Sequence, residues 1–147
     1  MPHTLPEGYI TAASTPFEQP FGFVFSNCKI TGEPAVKTYL GRPWRPYAGV
    51  IFLNTSMSEV VRPAGWHNWN FPEREKTVRY AESNSTGAGA NSGARVAWGK
   101  QLTKTNAGRI TLEKVLGGFD RWDPKTGRTR TLVKARCGFA VGCATSL

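Results

Sequence analysis

Arg42 and Trp44 stand two positions apart in a segment rich in Pro, Arg and aromatic residues, Thr38 to Tyr47. An aromatic ring can stack on the apolar C–H face of a pyranose, and a guanidinium donates paired hydrogen bonds to a carboxylate. In an extended segment the two side chains would project from the same side of the chain. The pair therefore suits recognition of a uronic acid. The alternative is that Trp44 packs as an apolar plug and Arg42 only caps a loop.

Residues that usually carry hydrolysis or bind metals are sparse. No GxSxG or HExxH motif occurs, and the cysteines have no zinc-ligand spacing, so we expect neither a metal nor a cofactor. His67 is predicted to be an exposed loop residue and Cys28 a small core residue. The Asp, His and Cys residues of the chain are Asp120, Asp123, His3, His67, Cys28, Cys137 and Cys143. A self-contained hydrolytic site is therefore not predicted from these residues alone.

The net charge of +9 at pH 7 is unevenly distributed. Residues 121–147 hold six Lys or Arg against Asp123 alone, which leaves +5 in that segment and +4 in residues 1–120. A basic surface can attract an acidic polysaccharide or a nucleic acid, or can simply be solvated. Charge alone leaves these three possibilities open.

Three short apolar segments recur at one constant spacing, beginning at Phe23, Val50 and Thr77. Asn27 and Asn54 fall in the same register. A period in the range of roughly 20–50 residues is typical of solenoids, and β-branched and aromatic segments between Gly, Pro and Asn loops favour β-coils. The pattern predicts a parallel β-helix, with a β-sandwich as the alternative. A further strand is predicted around Arg109 to Leu116.

The start of the chain lacks a basic stretch followed by an apolar stretch. The chain also has no apolar run of roughly 18 residues or more, the length that a membrane-spanning helix needs. We therefore expect no signal peptide and no membrane anchor in the chain as given. If the protein is exported, its signal would lie upstream of Met1.

Several blocks in a fixed order closely resemble the pectin methylesterase (pectinesterase) family, over roughly residues 8–123. The most specific block is LGRPW, Leu40 to Trp44, continued by Arg45, Pro46 and Tyr47. The other blocks are Gly8 to Ala12, Gly22 to Phe25 with Cys28, Pro63 to Trp66 with Trp69, Arg79 to Ala90 and Ser92 to Trp98.

The resemblance implies an all-β, right-handed parallel β-helix that hydrolyses methyl esters of galacturonate in pectin. In that family one Asp attacks the ester, a second Asp is the general acid/base, and Gln side chains help to form the oxyanion site. By the family's motif order these residues would precede Met1. The resemblance assigns Arg42 to orienting the nucleophilic Asp and to substrate binding, and Trp44 and Tyr47 to substrate binding. Trp66 and Trp69 are expected to wall a loop or pack beneath it.

We interpret residues 1–124 as the C-terminal part of a pectinesterase β-helix, truncated on its N-terminal side. Residues 125–147 are predicted to be a poorly ordered basic tail, appended or out of frame, because they resemble nothing in the family. The chain is expected to be an esterase by ancestry but inactive alone. The alternative is a non-catalytic module that binds acidic polysaccharide. We also predict that the protein is a monomer and that it is secreted or periplasmic. Its expected partner is pectin, and no nucleic acid or membrane partner is expected.

Overall fold

A computed structural model describes residues 7–120 and 122–129. The chain divides into two compact units, Met1–Thr111 and Leu112–Leu147. Most of the predicted basic tail, residues 130–147, lies outside the described residues, as do His3, Cys137 and Cys143.

The described part of the first unit is built from short strands separated by turns. Frequent Gly, Pro and Asn interrupt the apolar segments and keep these strands short. The strands are β1 (Gly8–Tyr9), β2 (Ala12–Ala13), β3 (Phe23–Ser26), β4 (Lys29–Ile30), β5 (Thr38–Tyr39), β6 (Arg42–Pro43), β7 (Gly49–Leu53), β8 (Ser56–Met57), β9 (Arg79–Ser83) and β10 (Lys100–Gln101).

Every strand pair described in this unit is parallel, and each strand pairs with its counterpart in the next coil. The four-stranded sheet has the order β10-β9-β7-β3, and β1, β2 and β4 pair with β5, β6 and β8. Apart from β9 and β10, which pair with each other, strands that follow one another along the chain lie in different sheets, and each strand stacks on a strand of an adjacent coil. This architecture is a parallel β-helix, as predicted.

The coils of this β-helix are not all of one length. Phe23 pairs with Val50, as predicted. Ile51, however, pairs with Ala81 and not with Val78, so the predicted third segment was placed three positions too early. The connection between β7 and β9 contains a 3₁₀ helix, Pro72–Lys76, which accommodates a longer coil. Val78 precedes β9 and is buried.

An asparagine follows the long strand of each coil. Asn27, Asn54 and Asn84 have φ values of 56°, 49° and 53°, a left-handed conformation that Asn adopts more readily than most residues. The Asn84 side chain donates from Nδ2 to Oδ1 of Asn54 over 2.9 Å. The predicted match of Asn27 with Asn54 is confirmed, and Asn84 extends this asparagine ladder.

Aromatic rings stack on one another within a core that also contains many aliphatic side chains. Phe25 lies on Phe52 with ring centroids 4.6 Å apart, and Trp66 lies 4.6 Å from Tyr80. Trp66 is 1% exposed, which confirms the prediction that it packs beneath its loop. Burial of each large apolar side chain contributes about 1.5–3 kcal/mol to folding.

One ion pair lies inside this core. Arg95 Nε donates to Glu82 Oε1 over 2.7 Å, and each side chain is 2% exposed. Arg95 also donates to the carbonyls of Pro63 and Gly89, over 3.0 and 2.8 Å. The guanidinium thereby joins the loop before Trp66 to the turn after β9.

Helices are short in the described residues: a 3₁₀ helix at Ser92–Ala94, and α1 (Lys104–Gly108), capped by the Thr103 side chain, which accepts from Asn106 N. None of the described helices is long and apolar enough to cross a membrane.

Cys28 is half-buried rather than a core residue, and its thiol donates to the Ser26 carbonyl over 3.5 Å.

The second unit begins with α2 (Leu112–Leu116), and its strands β11 (Trp122–Asp123) and β12 (Arg128–Thr129) form an antiparallel pair. The predicted strand at Arg109 to Leu116 is therefore wrong. Leu, Glu and Lys at positions 112–114 favour helix more strongly than Ile110 and Val115 favour strand.

Candidate functional site

Arg42 and Trp44 flank a buried proline at the end of β6. Backbone bonds to the coil below fix this segment, since Arg42 N donates to Thr11 O over 3.0 Å and Trp44 N to Ala13 O over 2.8 Å. Pro43 points into the core, so its two neighbours face outward together. The Arg42 guanidinium carbon lies 4.9 Å from the Trp44 ring centroid, which confirms that the two side chains share one side.

Three aromatic rings surround this guanidinium; we call Tyr9, Trp44 and Trp69 the aromatic frame. The guanidinium carbon of Arg42 lies 5.5 Å from the Tyr9 centroid and 3.9 Å from the Trp69 centroid. These distances fall in the range of cation–π attraction. Trp44 and Trp69 are 54% and 41% exposed, so both present ring surface to solvent. The three rings of the aromatic frame come from three successive coils.

Trp69 was assigned to a loop wall from the sequence but lies at the site. Trp69 and Asn70 have φ values of 58° and 61°, which turn the ring back over Arg42. The Asn68 side chain stabilises this turn by accepting from Asn70 N over 2.9 Å and donating to Glu75 Oε1 over 2.7 Å. This left-handed turn was not predicted, and Trp69 within it is exposed, whereas Trp66 is buried.

His67 is half-buried and partnered, so the prediction of an exposed loop residue is wrong. Its ring centroid lies 5.0 Å from that of Tyr39, and its Nδ1 forms a hydrogen bond with the Tyr9 hydroxyl over 3.0 Å. Burial, followed by the negative charge of Glu7, raises the pKa of Tyr9, which keeps its O–H protonated. His67 and Tyr39 thus support Tyr9, a member of the frame.

Tyr47 lies apart from the aromatic frame. It has a φ of 65° and is 38% exposed, and its ring makes an edge contact with Phe17 at 4.9 Å. Among the ring and cation–π contacts of the described residues, none joins Tyr47 to Arg42 or Trp44. Of the three site residues predicted from the sequence, Arg42 and Trp44 therefore form a close pair, whereas Tyr47 is a separate exposed residue.

Arg74, which sequence reasoning missed, fixes the end of β6. Its Nη1 donates to the carbonyls of Pro43 and Trp44, each over 3.0 Å. The Arg74 guanidinium also lies 3.8 Å from the Phe71 ring centroid. No motif signals this role, because the acceptors are backbone atoms in the preceding coil, far away in sequence.

Arg42 forms none of the ion pairs or hydrogen bonds found for side chains in residues 7–120 and 122–129. The buried carboxylate of the first unit, Glu82, is paired with Arg95. Asp120 and Asp123 belong to the second unit, where each accepts a backbone N–H two residues ahead, from Trp122 and Lys125. Across the described residues, no cluster of three His, Cys, Asp or Glu could hold a metal ion. The geometry leaves the donors of Arg42 available to an acceptor from outside.

Fold and site together define a β-helix protein whose surface combines aromatic faces with a guanidinium. Comparison with known proteins specifies the family, since the pectinesterase family profile matches residues 1–119. The chain belongs to the pectinesterase family.

Curated relatives agree with this assignment. Probable pectinesterase 55 of Arabidopsis thaliana is 46% identical over 97 residues, which cover 65% of this chain and 29% of the relative. Probable pectinesterase 29 of the same plant is 44% identical over 100 residues, covering 67% and 29%. The chain thus spans under a third of the length of these relatives.

Solved structures match the fold. Pectin methylesterase from carrot superposes with a TM-score of 0.63 and 31% identity, covering 69% of this chain and 35% of that one. A pectin methylesterase mutant in complex with a hexasaccharide gives a TM-score of 0.60 and 28% identity, covering 81% and 41%.

Proposed function

We propose that this chain supplies the substrate-side half of a pectin methylesterase site, acting on methyl-esterified galacturonate. The observation that carries the proposal is the Arg42 guanidinium, which is held by three rings but makes no ion pair within the described residues. Solvated arginines are common, but one fixed beside two exposed tryptophans is arranged to receive a ligand.

Trp44 and Arg42 have separate tasks in this proposal. The exposed face of Trp44 stacks on the C–H face of a galacturonate ring and places its ester near Arg42. The guanidinium orients and charge-balances the aspartate that attacks the ester carbonyl, which displaces methanol and leaves an acyl-enzyme for water to hydrolyse. Tyr47 extends the surface along the saccharide.

The attacking aspartate and the general acid/base come from outside this chain. Asp occurs only at positions 120 and 123, beyond the matched blocks that carry Arg42 and Trp44. The chain on its own is therefore proposed to be inactive. A monomer in a secreted or periplasmic location is part of the same proposal.

The same scarcity of Asp favours the alternative, a module that binds acidic polysaccharide without hydrolysing it. A nucleic-acid role has weaker support, because more than half of the net charge falls in residues 121–147. Binding to polygalacturonate but not to DNA at matched salt would exclude that role.

Two measurements test the proposal. Purified residues 1–147 should release no methanol from methylated pectin above a heat-inactivated control, and clear turnover would contradict the absence of a catalytic pair. A graft of residues 8–120 into a longer pectinesterase, replacing the corresponding segment, should retain turnover. An inactive but folded graft that still binds pectin would favour the binding module.

A further inference from the structure

A cleft of about 630 Å³ lies in the first unit between the ends of the long strands and α1. Its volume is within the range of roughly 300–1,000 Å³ that small-ligand sites occupy. It shares no residue with the aromatic frame. The lining residues used below are Leu53, Asn54, Asn84, Leu102, Lys104 and Ile110.

Two members of the asparagine ladder, Asn54 and Asn84, lie in the polar wall of the cleft. Asn84 Nδ2 donates to Asn54 Oδ1, and this hydrogen bond fixes the orientation of the two side-chain amides relative to each other. Neither the Asn54 amide nitrogen nor the Asn84 amide oxygen forms a hydrogen bond with another side chain or backbone group in the described residues. One donor and one acceptor, from adjacent coils, are therefore available to a ligand.

The other walls supply a cation and an apolar surface. Lys104, at the start of α1, forms none of the ion pairs found among residues 7–120 and 122–129. Leu53, Leu102 and Ile110 contribute aliphatic groups. An ammonium, an amide donor, an amide acceptor and an aliphatic wall match the carboxylate, hydroxyl groups and C–H face of one uronate ring.

The geometry points to this cleft as a second saccharide site, which takes a de-esterified galacturonate unit through Lys104, Asn54 and Asn84. The choice of galacturonate rests on the proposed function, while the cleft and its polar wall do not. A free carboxylate is required because an ester would lose the charge that Lys104 recognises. The site would hold the product form of the polymer away from the aromatic frame.

The test is a ¹⁵N NMR titration of residues 1–147 with trigalacturonate, following side-chain signals. The Asn54 and Asn84 amide signals should shift and saturate, and fully methylated trigalacturonate should shift them much less. Absence of a saturable shift at both asparagines would overturn the inference. This measurement needs no variant and is made on the folded chain.

Variants then assign the contacts. Lys104→Ala should weaken binding at the cleft about tenfold, the loss expected for a charge-assisted contact. Lys100→Ala, which removes an exposed lysine on β10 that does not line the cleft, is the matched control. Asn84→Gly removes the amide while glycine retains the positive φ, and it should also weaken binding. Unchanged affinity in both Lys104→Ala and Asn84→Gly would contradict the site.

The two sites are distinguished by their own signals. Arg42→Ala should alter the response of the Trp44 indole N–H, because the guanidinium lies 4.9 Å from that ring, but should leave the asparagine shifts intact. Loss of the cleft response with an intact Trp44 response would reject the second site alone. The reverse result would reject the proposed substrate face and retain the cleft.

Discussion

Two arginines of the β-helix occupy contrasting environments. The side chain of Arg95 is 2% exposed, and its donors reach both carboxylate oxygens of Glu82 and nearby backbone carbonyls. Arg42 is half-buried among aromatic rings, and its guanidinium forms no hydrogen bond or ion pair with the described residues. A guanidinium whose donors are satisfied inside the protein serves stability, whereas one held in place with free donors is available for recognition.

The largest expected effect is on stability, at the buried pair. Glu82→Ala should lower the free energy of unfolding by about 3–5 kcal/mol, because it leaves the Arg95 charge buried without its partner. Urea denaturation followed by circular dichroism measures the loss. The double variant Glu82→Leu with Arg95→Met should recover much of it. A loss below about 1 kcal/mol in Glu82→Ala would contradict a structural role for the pair.

Arg42→Ala should do the opposite, leaving folding nearly unchanged but impairing function. In the active graft described above, turnover should fall by at least about 100-fold, because the nucleophile loses its orientation and charge balance. Arg42→Lys should recover little, since an ammonium lacks the planar fork. Steady-state methanol release gives the answer, with Arg45→Ala as an exposed arginine control. Parental activity in Arg42→Ala would refute the assignment.

Trp44→Ala should weaken binding of methylated oligogalacturonate to residues 1–147 by about 1–3 kcal/mol, through loss of the stacking surface. Isothermal titration calorimetry measures this change. Trp69→Ala tests whether the aromatic frame contributes to binding by contacting the saccharide or by holding Arg42 in place. This variant exposes the guanidinium but keeps Trp44. If Trp44→Ala binds as tightly as the parent chain, the ring packs without contacting saccharide.

Alkaline pH should destabilise the β-helix through the phenols of Tyr80, which is buried, and Tyr9, which is half-buried. Burial raises the pKa of Tyr80, against smaller opposing effects of Arg42 and Arg74, and burial also raises the pKa of Tyr9. Unfolded tyrosines ionise near pH 10, so the unfolded state loses these protons first and stability falls as pH rises above about 10.

Tyr80→Phe tests whether Tyr80 causes the loss of stability at alkaline pH. The Tyr80 hydroxyl is buried without a hydrogen-bond partner among the described residues. The variant should be as stable as the parent at pH 7, within about 1 kcal/mol, and should show a shallower alkaline decline. Denaturant unfolding between about pH 8 and 11 compares the two chains. An identical alkaline slope would exclude Tyr80 as the source.

The smallest effect is expected at His67. His67→Ala should cost about 1 kcal/mol of stability through loss of the Tyr9 hydrogen bond and the contact with Tyr39. His67→Phe retains a ring and separates the two contributions. Thermal unfolding measures both variants, and saccharide binding should change little. Complete loss of binding in a folded His67→Ala chain would place the chemistry on this loop rather than on Arg42.

Sequence patterns predicted the parts of the fold that depend on local repetition. The spacing from Phe23 to Val50 predicted one register, and Asn27 was correctly matched with Asn54. The register between β7 and β9 was predicted incorrectly, and Val50 was matched with Thr77 in place of Tyr80. Residues added in a turn lengthen a coil without changing the strand pattern. At 112–116, local helix propensity outweighed the β-branched residues.

The candidate site was predictable where two residues share one extended segment, as Arg42 and Trp44 do. Trp69, His67 and Arg74 reach the same region from a later coil, and their placement depends on left-handed backbone and on backbone acceptors. Neither feature leaves a periodic pattern in the chain. The Glu82–Arg95 pair was missed for the same reason, because its partners are joined only by the tertiary fold.

The parallel pairing of each coil with the next also governs how the protein reaches its fold. In the described part of the first unit every paired strand residue lies at least 19 positions from its partner, the separation of Ala81 and Lys100, so each pairing must first close a long loop. Such high contact order slows folding, and each completed coil becomes the template on which the next one forms. Loop-closure entropy grows by only about 0.6 kcal/mol for each doubling of loop length, so the slightly longer coil between β7 and β9 should scarcely alter the folding rate.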